Sequence, residues 1–565
     1  MAELLRMHSF QISAFRDDFP LLKQKVNNKT LCYFDNAATT QKMSATIDAI
    51  NDYYQYDNAN VHRGSYALSA RATTLFEQAR IEVKNYLNAN SEKEIIWTKG
   101  TTEAINLVAN AWGRANLLPG DEIVLSQSEH HANIVSWQLV AEQTGAVVKV
   151  LPLLPDGCID ITCLDQYITD KTKLVACCHI SNVIGKINDI ASIIAKAKTV
   201  NAKTLIDGAQ AIAHLTVDVQ ALDCDFYVFS SHKFYGPTGL GVLYGKESLL
   251  TEMPPYQGGG EMVAQVSFAG TSYNNLPFKF EAGTPNIAAV IGFKSALVNF
   301  QRWDMASIQA YEQTLTSYAY QQLSLIDELR FIVEKQPDMA IFSFTIKAHH
   351  NQDVAAFLDT QGIAVRCGHH CAMPLMHYLN LDGCIRVSLT AYNTIAEIDQ
   401  LVTALKSFIS NEHKLNNTAK DNKLTVVVTK DDRAAVEHII AEFNQAKSWD
   451  AKHRAIMLYG KALKRLPKNL RSDTCLISGC ESKAWLIAEQ QPDGRYLFHC
   501  DSDARVIRGL MFITTSAYQN LTGAEILAFD IHVFFEKLGL IQHLSPSRSN
   551  GLNAIVDKIR QLVNV

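Results

Sequence analysis

The feature that most constrains the fold is an alternation of short apolar runs with amphipathic segments between about residues 30 and 290. Short apolar stretches, as in DEIVLSQSEHH, KLVACCHISN and DFYVFSSHK, give way to polar or glycine residues and then to a helical pattern. Apolar strands that alternate with helices are typical of a mostly parallel sheet covered by helices on both faces. The sequence therefore predicts an α/β architecture with its ligand site at the carboxyl ends of the strands.

Polar side chains occur where these apolar runs end. Lys233 follows the run in DFYVFSSHK and Asp207 closes the run in KTLID. The other predicted strand ends carry Thr101, Thr102, Glu129, His130, His131, Asn182 and His232. Because the carboxyl ends of parallel strands meet at one edge of a sheet, we expect these residues to form a single site.

The chain has 565 residues, too many for one hydrophobic core, so we expect two or three domains. Residues 1–410 are predicted to combine a large domain, at about 30–290, with a small α+β domain, at about 300–410, that includes the N-terminal segment. Residues 411–427 are predicted to be a linker because NEHKLNNTAKDNK is polar and rich in Asn and Lys. In the remaining domain, 428–565, apolar residues at helical spacing predict an early and a late helix: Val436, Ile439, Ile440 and Phe443, then Leu552, Ile555, Ile559 and Leu562.

Charge and cysteine usage narrow the class of protein. The net charge is −5 and the pI is about 6.4, which gives no reason to expect a nucleic acid or a membrane surface as partner. No stretch approaches the roughly 20 apolar residues of a membrane span, and the acidic N-terminus argues against a leader peptide. The 12 cysteines contain no CxxC pair, which favours reduced thiols in a cytoplasmic protein.

A lysine at a strand end suits pyridoxal phosphate, a cofactor that binds covalently to lysine through its aldehyde. Asp207 would keep the pyridine nitrogen protonated, His130 would stack on the ring, and Gln210 would donate to the phenolic oxygen. The phosphate would bind hydroxyl, imidazole and backbone N–H groups near a helix N-terminus, at Thr101, Thr102, Ser230 and His232.

Each of these residues also has an ordinary structural interpretation. GTTE is compatible with a simple capping box, Asp207 with a turn residue, and His130 with a hydrogen-bonded core histidine. Because all of them occur together, each at a strand end, we favour a pyridoxal phosphate site.

Residues 1–410 resemble the class II cysteine desulfurases of the SufS type, in the aminotransferase class V, fold-type I pyridoxal phosphate superfamily. Matching stretches include YFDNAATTQK (33–42), GTTEAINLVANAWG (100–113), SSHKFYGPTGLG (230–241), FEAGTPN (280–286) and VRCGHHCAMPLM (365–376). The resemblance implies a homodimer with its active site at the subunit interface and L-cysteine as substrate. It also implies that Thr284 reaches the cofactor phosphate of the neighbouring subunit, and that Cys367 replaces a threonine usual in the family.

The stretch RCGHHCAMP carries the chemistry that the resemblance implies. Cys371 would take sulfur from cysteine as a persulfide and release alanine, with Lys233 moving the Cα proton and His130 protonating reacting groups. Cationic neighbours lower a thiol pKa, and the candidates are Arg366, His369 and His370. Arg386 offers a planar fork for the substrate carboxylate, supported by Asn182 and Arg366.

A metal site built from Cys367, His369, His370 and Cys371 is a weaker alternative, because three of these four residues are consecutive. No metal is therefore predicted. Selenocysteine lyase, cysteine-sulfinate desulfinase and aminotransferase-like activities remain alternatives for the first 410 residues.

Residues 428–565 resemble the SufE family of sulfur acceptors, an α+β fold. SGCESKAW matches the acceptor loop of that family, so Cys480 is implied to receive sulfur from Cys371 and to pass it to iron–sulfur scaffold proteins. Asp501 and Arg548 lie in other signature stretches, and Cys475 and Cys500 are predicted to be structural. An iron–sulfur scaffold built on Cys475, Cys480 and Cys500 is the alternative; clusters usually need four thiolates in tighter groups.

Overall fold

The computed structural model describes residues 10–421, 432–446, 449–477, 482–540 and 546–563. A seven-stranded sheet forms the centre of its N-terminal part. In chain order the strands are β1 (Ile95–Thr98), β2 (Glu122–Ser126), β3 (Val147–Leu151), β4 (Thr172–Cys178), β5 (Lys203–Asp207), β6 (Phe226–Ser230) and β7 (Gly241–Gly245). Their order across the sheet is β1-β7-β6-β5-β4-β2-β3, and β7 alone runs antiparallel to both of its neighbours. The predicted α/β architecture is confirmed.

Both faces of this sheet are buried, which explains the continuous apolar runs. Alternate residues point to opposite faces of a strand: Val124 and Val175 belong to one core, and Ile123 and Leu174 belong to the other. Helices of this part include α1 (Ile12–Asp17), α2 (Ser44–Asp52), α3 (Ala67–Tyr86), α4 (Thr101–Val108), α5 (Ala132–Thr144), α6 (Ile190–Thr199) and α7 (Ile287–Phe300).

A smaller unit with its own antiparallel sheet follows. It contains α8 (Met305–Ser324), β8 (Leu329–Phe331), β9 (Ile341–Ile346), α9 (Asn351–Thr360), β10 (Arg366–Gly368), α10 (Met373–Tyr378), β11 (Cys384–Ser388) and α11 (Ile395–Asp421), with sheet order β8-β9-β11-β10. The N-terminal segment joins this unit, since Cys32–Tyr33 pairs in parallel with Ile363–Ala364.

The predicted linker differs from the structure over most of its length. Helix α11 continues through Asp421, so residues 411–421 are helical, while residues 422–427 lie outside the described residues. The sequence NEHKLNNTAKD contains neither Gly nor Pro, and Asn and Lys lower helix propensity only modestly. Polarity alone was therefore a poor sign of a helix end.

The C-terminal part combines a three-stranded antiparallel sheet with helices. Its elements are α12 (Asp432–Gln445), α13 (Trp449–Ala462), β12 (Ala484–Gln490), β13 (Arg495–Ser502), α14 (Arg505–Tyr518), β14 (Leu521–Thr522), α15 (Gly523–Ala528), α16 (Ile531–Lys537) and α17 (Pro546–Val563). Helices α12 and α17 confirm the early and late helices expected from apolar spacing. In the described part of the chain, no helix combines the length and apolar character needed to cross a bilayer.

Candidate active site

One cavity of about 230 Å³ opens at the carboxyl edge of the large sheet, between that sheet and the smaller unit. It is lined by most of the residues predicted for the site: Thr101, Thr102, His130, Asn182, Asp207, Gln210, Ser230, His232, Lys233, Arg366, Cys371 and Arg386. Thr284 is exposed and lines a separate cavity with Gly239 and Tyr256. Cys480 lies outside the described residues.

Lys233 and Asp207 lie at the floor of the cavity, at the ends of adjacent parallel strands. Burial lowers the pKa of the Lys233 amine to about 8, although the carboxylate of Asp207 acts in the opposite direction. Burial likewise raises the pKa of Asp207, opposed by Lys233 and by a 2.9 Å hydrogen bond from the Ala209 N–H. The fold thus places a half-buried nucleophilic amine beside a buried carboxylate.

The N-terminus of α4 and the end of β6 form one wall. The Thr101 N–H donates to Ser230 Oγ at 2.8 Å, and the Thr101 hydroxyl lies 2.7 Å from the same oxygen. Strand β7 runs close behind, because a Cβ on Gly241 would lie 2.4 Å from Gly100 Cα. The capping-box interpretation of GTTE is wrong, since the N-cap residue is Gly100, which has no side chain to accept a hydrogen bond.

His130 has a defined tautomer. The Ala132 N–H donates to His130 Nδ1 at 3.1 Å, so Nδ1 is an acceptor and the ring proton is on Nε2. Burial, and then the positive charge of Lys233, lower the pKa of His130 to about 4, so the ring is neutral at physiological pH. A flat, neutral imidazole suits stacking on an aromatic cofactor. Gln210 is also buried in the cavity, where its amide donates to the Ala37 carbonyl at 2.7 Å.

The Cys371 loop, residues 369–372, is held by backbone contacts. His370 and Cys371 adopt φ values of 53° and 55°, in the left-handed region that side chains disfavour. The His131 N–H donates to the Cys371 carbonyl at 2.7 Å, and the Asn182 amide donates to the His370 carbonyl at 2.9 Å. His131 also accepts from the Met373 N–H at 2.9 Å. Its role in fixing this loop was missed in the sequence, where nothing distinguishes it from His130.

Arg386 lies buried in the cavity wall. Its guanidinium donates to the Asn182 carbonyl at 3.0 Å and to Asp35 at 3.1 Å, while Nε has no hydrogen-bond partner among the described residues. Asp35 also accepts from Arg366 at 3.2 Å. Asp35 therefore positions both candidate substrate-binding arginines, yet only its place in YFDNAATT pointed to this region.

The side chains around Cys371 correct one expectation and locate a second thiol. Burial lowers the pKa of His370 well below its usual value, so this histidine is neutral and adds no positive charge near the thiol. Cys367 packs against the core of the smaller unit, which contains Phe344 and Ile385. It therefore does not share the cavity with Cys371. Within the described ranges, no group of His, Cys, Asp or Glu side chains is arranged to hold a metal ion.

Residues predicted for the C-terminal domain have mixed outcomes. Asp501 is buried and accepts hydrogen bonds or ion pairs from Arg465, Arg471 and Arg508 at 3.0–3.2 Å. Cys500 is buried in β13, as expected for a structural cysteine. Cys475 lies half-buried in the short 3₁₀ turn Asp473–Cys475 rather than in a strand or core. The Arg548 side chain, like Cys480, lies outside the described residues.

The polar groups of the cavity fit pyridoxal phosphate. The half-buried Lys233 amine and the Asp207 carboxylate line the same cavity, and a hydroxyl pair lies at a helix N-terminus. His232 Nδ1 is buried without a hydrogen-bond partner in the described part of the chain, and it lies beside these hydroxyls. A phosphate oxygen there would satisfy a nitrogen that is otherwise costly to bury.

Comparison with known proteins agrees with this geometry. Residues 32–401 match the family model described as aminotransferase class-V. The cysteine desulfurase of Escherichia coli (strain SE11) is 49% identical over 399 residues, which cover 70% of this chain and 98% of the relative. The probable cysteine desulfurase of Vibrio cholerae is 50% identical over 394 residues, 70% of this chain and 97% of the relative. The chain belongs to the cysteine desulfurases of the class-V aminotransferase family.

This cysteine desulfurase carries a second family at its C-terminus, since residues 437–563 match the SufE model, described as an Fe-S metabolism associated domain. Among solved structures, the cysteine desulfurase CsdA of Escherichia coli superposes with a TM-score of 0.67 at 40% identity, covering 72% of this chain and all of CsdA. The apo cysteine desulfurase of Thermococcus onnurineus gives the same TM-score at 33% identity, covering 71% of this chain and 98% of its own. A C-DES variant with glycine linked to its pyridoxal phosphate cofactor shares the fold, with a TM-score of 0.61 at 23% identity, covering 69% of this chain and 98% of its own.

Proposed function

We propose that this chain converts L-cysteine to L-alanine and holds the removed sulfur as a persulfide on Cys371. The sulfur then passes to Cys480 of the SufE domain and on to iron–sulfur scaffold proteins. The observation that carries the proposal is the shared cavity: Lys233, Arg386 and Cys371 line the same 230 Å³ space. An amine for the cofactor, a cation for the substrate carboxylate and a thiol for its sulfur are the three groups that this reaction needs.

Pyridoxal phosphate, when bound, supplies an aldehyde that links to amines and a ring that takes up the electron pair released at the substrate Cα. The residues that would hold it are Lys233 for the aldehyde, Asp207 for the ring nitrogen, His130 for the ring face and Gln210 for the phenolic oxygen. Asn182, which is buried in the cavity, would also contact the cofactor. The phosphate would be held by Thr101, Thr102, Ser230 and His232, and by Thr284 from the second subunit.

The remaining steps are performed by side chains of this protein. Arg386 and Arg366 bind the substrate carboxylate, with Asp35 keeping both guanidinium groups oriented. Lys233 takes the Cα proton, which its pKa of about 8 permits near neutral pH. The Cys371 thiolate attacks the sulfur of the substrate. The S–S bond of the Cys371 persulfide forms as the Cβ–S bond of the substrate breaks, and the substrate Cβ takes up a proton to give alanine. His130, with its proton on Nε2, donates a hydrogen bond to reacting groups.

We also propose the domain arrangement and assembly. Residues 1–410 form the desulfurase and 428–565 the acceptor domain, a division supported by family matches that end at 401 and resume at 437. A homodimer is supported by the exposed hairpin Val263–Ser267/Gly270–Tyr273, which presents Val266, Phe268 and Tyr273 to solvent. A cytoplasmic location is supported by the free thiols of the described cysteines.

The test compares Cys371→Ala with Cys367→Ala, a matched control four residues away whose thiol packs into the small-unit core. We expect Cys371→Ala to retain bound pyridoxal phosphate, measured by its absorbance, and to form almost no alanine from cysteine. Cys367→Ala should keep most of its activity. The same assay with selenocysteine and cysteine sulfinate ranks the alternative substrates. Alanine formation by Cys371→Ala at the wild-type rate would refute the assignment.

A further inference from the structure

Helix α14 begins without a capping side chain from its own domain. Its N-cap residue is Ala504, which has no side-chain oxygen, and its first residues are Arg505 and Val506. The first N–H groups of a helix have no intrahelical acceptor, so a buried helix start needs acceptors from elsewhere. Val506 is buried.

The acceptor comes from the desulfurase part of the chain. The Asp353 carboxylate, in the first turn of α9, accepts from the Arg505 N–H at 2.9 Å and from the Val506 N–H at 2.7 Å. Asp353 is itself buried, and its charge lies at the positive end of the α14 dipole. One side chain thus satisfies two N–H groups of a helix about 150 residues away in the chain.

Other contacts extend this interface along α9. Ala356, one turn after Asp353, is buried in the hydrophobic core of the C-terminal part. His350 Nε2 lies 3.6 Å from the Asp503 carboxylate, and Ser482 Oγ donates to Gln352. We name the face formed by His350, Gln352, Asp353 and Ala356 the α9 docking surface.

This surface lies close to the strand that leads into the Cys371 loop. Lys483 Nζ lies 3.4 Å from the Asp382 carboxylate, and a Cβ on the adjacent Gly383 would lie 3.0 Å from the Gly368 carbonyl carbon. Gly368 is the residue before the Cys371 loop. Ser482 and Lys483, which make these contacts, are two and three residues after Cys480 in the sequence.

We propose that the α9 docking surface holds the SufE domain on the desulfurase of its own chain, so that sulfur passes from Cys371 to Cys480 in cis. This inference rests on the proposed function and adds the route of transfer and the residue, Asp353, that positions the acceptor domain. In the step, the Cys480 thiolate attacks the terminal sulfur of the Cys371 persulfide. A new S–S bond forms at Cys480, the bond at Cys371 breaks, and Cys371 leaves as a thiolate, with no net oxidation.

The first experiment uses the full-length holoenzyme and one turnover of labelled cysteine. Alanine is measured by amino-acid analysis and persulfide on Cys480 by mass spectrometry. Asp353→Ala should form alanine at the wild-type rate and deliver sulfur to Cys480 about tenfold more slowly, the size expected for loss of a strong helix cap. Asp353→Asn, which keeps one acceptor oxygen and the side-chain shape, should fall between the two.

The control is Asp530→Ala. Asp530 caps α16 inside the SufE domain with hydrogen bonds of 3.0 and 3.4 Å, so its loss weakens that domain without touching the α9 docking surface. Wild-type transfer in Asp353→Ala, or equal slowing in Asp530→Ala, would overturn the docking role. Absence of alanine from the wild-type protein would instead refute the proposed function and leave the docking contacts untouched.

The second experiment tests cis transfer directly. A Cys371→Ser chain and a Cys480→Ser chain, tagged differently and co-expressed, are purified together so that sulfur can reach Cys480 only from another chain. Transfer in cis predicts that persulfide forms on Cys480 at least about tenfold more slowly in this sample than in wild type, because no chain carries both thiols and the α9 docking surface holds each SufE domain on its own chain. Persulfide formation at the wild-type rate in the mixed sample would overturn transfer in cis.

Discussion

Lys233 must be a neutral amine before it can form a bond with an aldehyde. Its pKa is lowered to about 8, chiefly by burial, so the neutral fraction rises with pH and reaches one half at about pH 8. We expect covalent attachment of pyridoxal phosphate to the ligand-free protein to speed up about tenfold per pH unit below pH 8 and to level off above it. Attachment is measured by mass spectrometry after borohydride reduction, with Lys233→Ala as the blank. An attachment rate that keeps rising toward pH 10 would show that burial does not lower the pKa of the Lys233 amine.

Arg386 makes a second prediction at the residue scale. Its planar guanidinium donates to Asp35 and to the Asn182 carbonyl, and its buried Nε has no hydrogen-bond partner in the described ranges. A lysine cannot reproduce these directions. Arg386→Lys should raise KM for cysteine at least about tenfold, as expected for loss of a charge-assisted hydrogen-bond pair, and change kcat less. The same variant should bind pyridoxal phosphate normally, and an unchanged KM would contradict the assignment.

The site residues differed in how far the sequence could predict them. Lys233 and Asp207 were predictable because strand ends follow from apolar patterning, and the structure brings both to the same cavity. His131 and Asp35 were not, because their roles depend on side-chain directions set by the packing of the two units. The neutrality of His370 likewise follows from burial, which its polar sequence neighbours concealed.

At the scale of elements, the close approach of β7 to the start of α4 shapes the phosphate end of the cavity. A Cβ at Gly241 would lie 2.4–2.8 Å from three backbone atoms of Gly100, which cannot move aside as a flexible side chain can. Gly241→Ala should cost about 1–3 kcal/mol of folding free energy and speed the loss of pyridoxal phosphate on dialysis. Gly523→Ala, at the start of α15 in the C-terminal part, is the control: the new methyl would lie no closer than 3.5 Å to another atom, so both quantities should stay unchanged. Normal cofactor retention by Gly241→Ala would mean that this contact is not needed.

Apolar patterning predicted the elements well where a strand is buried on both faces or a helix has a repeating apolar face. It predicted them poorly where the sequence of a helix is polar throughout. Strands β4 to β6 and helices α12 and α17 lie where apolar patterning predicted them. Helix α11 extends to Asp421, beyond the predicted boundary, because the polar sequence of its last turns has no apolar repeat from which a helix could be predicted. The left-handed backbone at Cys371 could not be predicted either, because neither His370 nor Cys371 is a residue type that indicates a positive φ.

For the whole molecule, the proposed dimer gives a measurable mass. Light scattering should report twice the chain mass of 62.8 kDa. Phe268→Asp, on the exposed hairpin, should shift the protein toward the single-chain mass and weaken pyridoxal phosphate retention, because Thr284 would no longer reach the second site. Leu325→Asp, another exposed apolar residue, serves as control and should remain a dimer. A Phe268→Asp protein that stays dimeric would exclude the hairpin as a main contact.

Asp353 accepts hydrogen bonds from main-chain N–H groups of α14, which every residue type except proline supplies. Recognition of this kind places no demand on which side chains stand at 505 and 506 beyond their own packing. Over evolutionary time the two joined surfaces are free to drift separately, provided that the carboxylate and the helix start are kept. Correlated substitutions between the two halves should therefore be sparse at this contact, and an invariant acidic residue at the start of α9 would be its main trace across species.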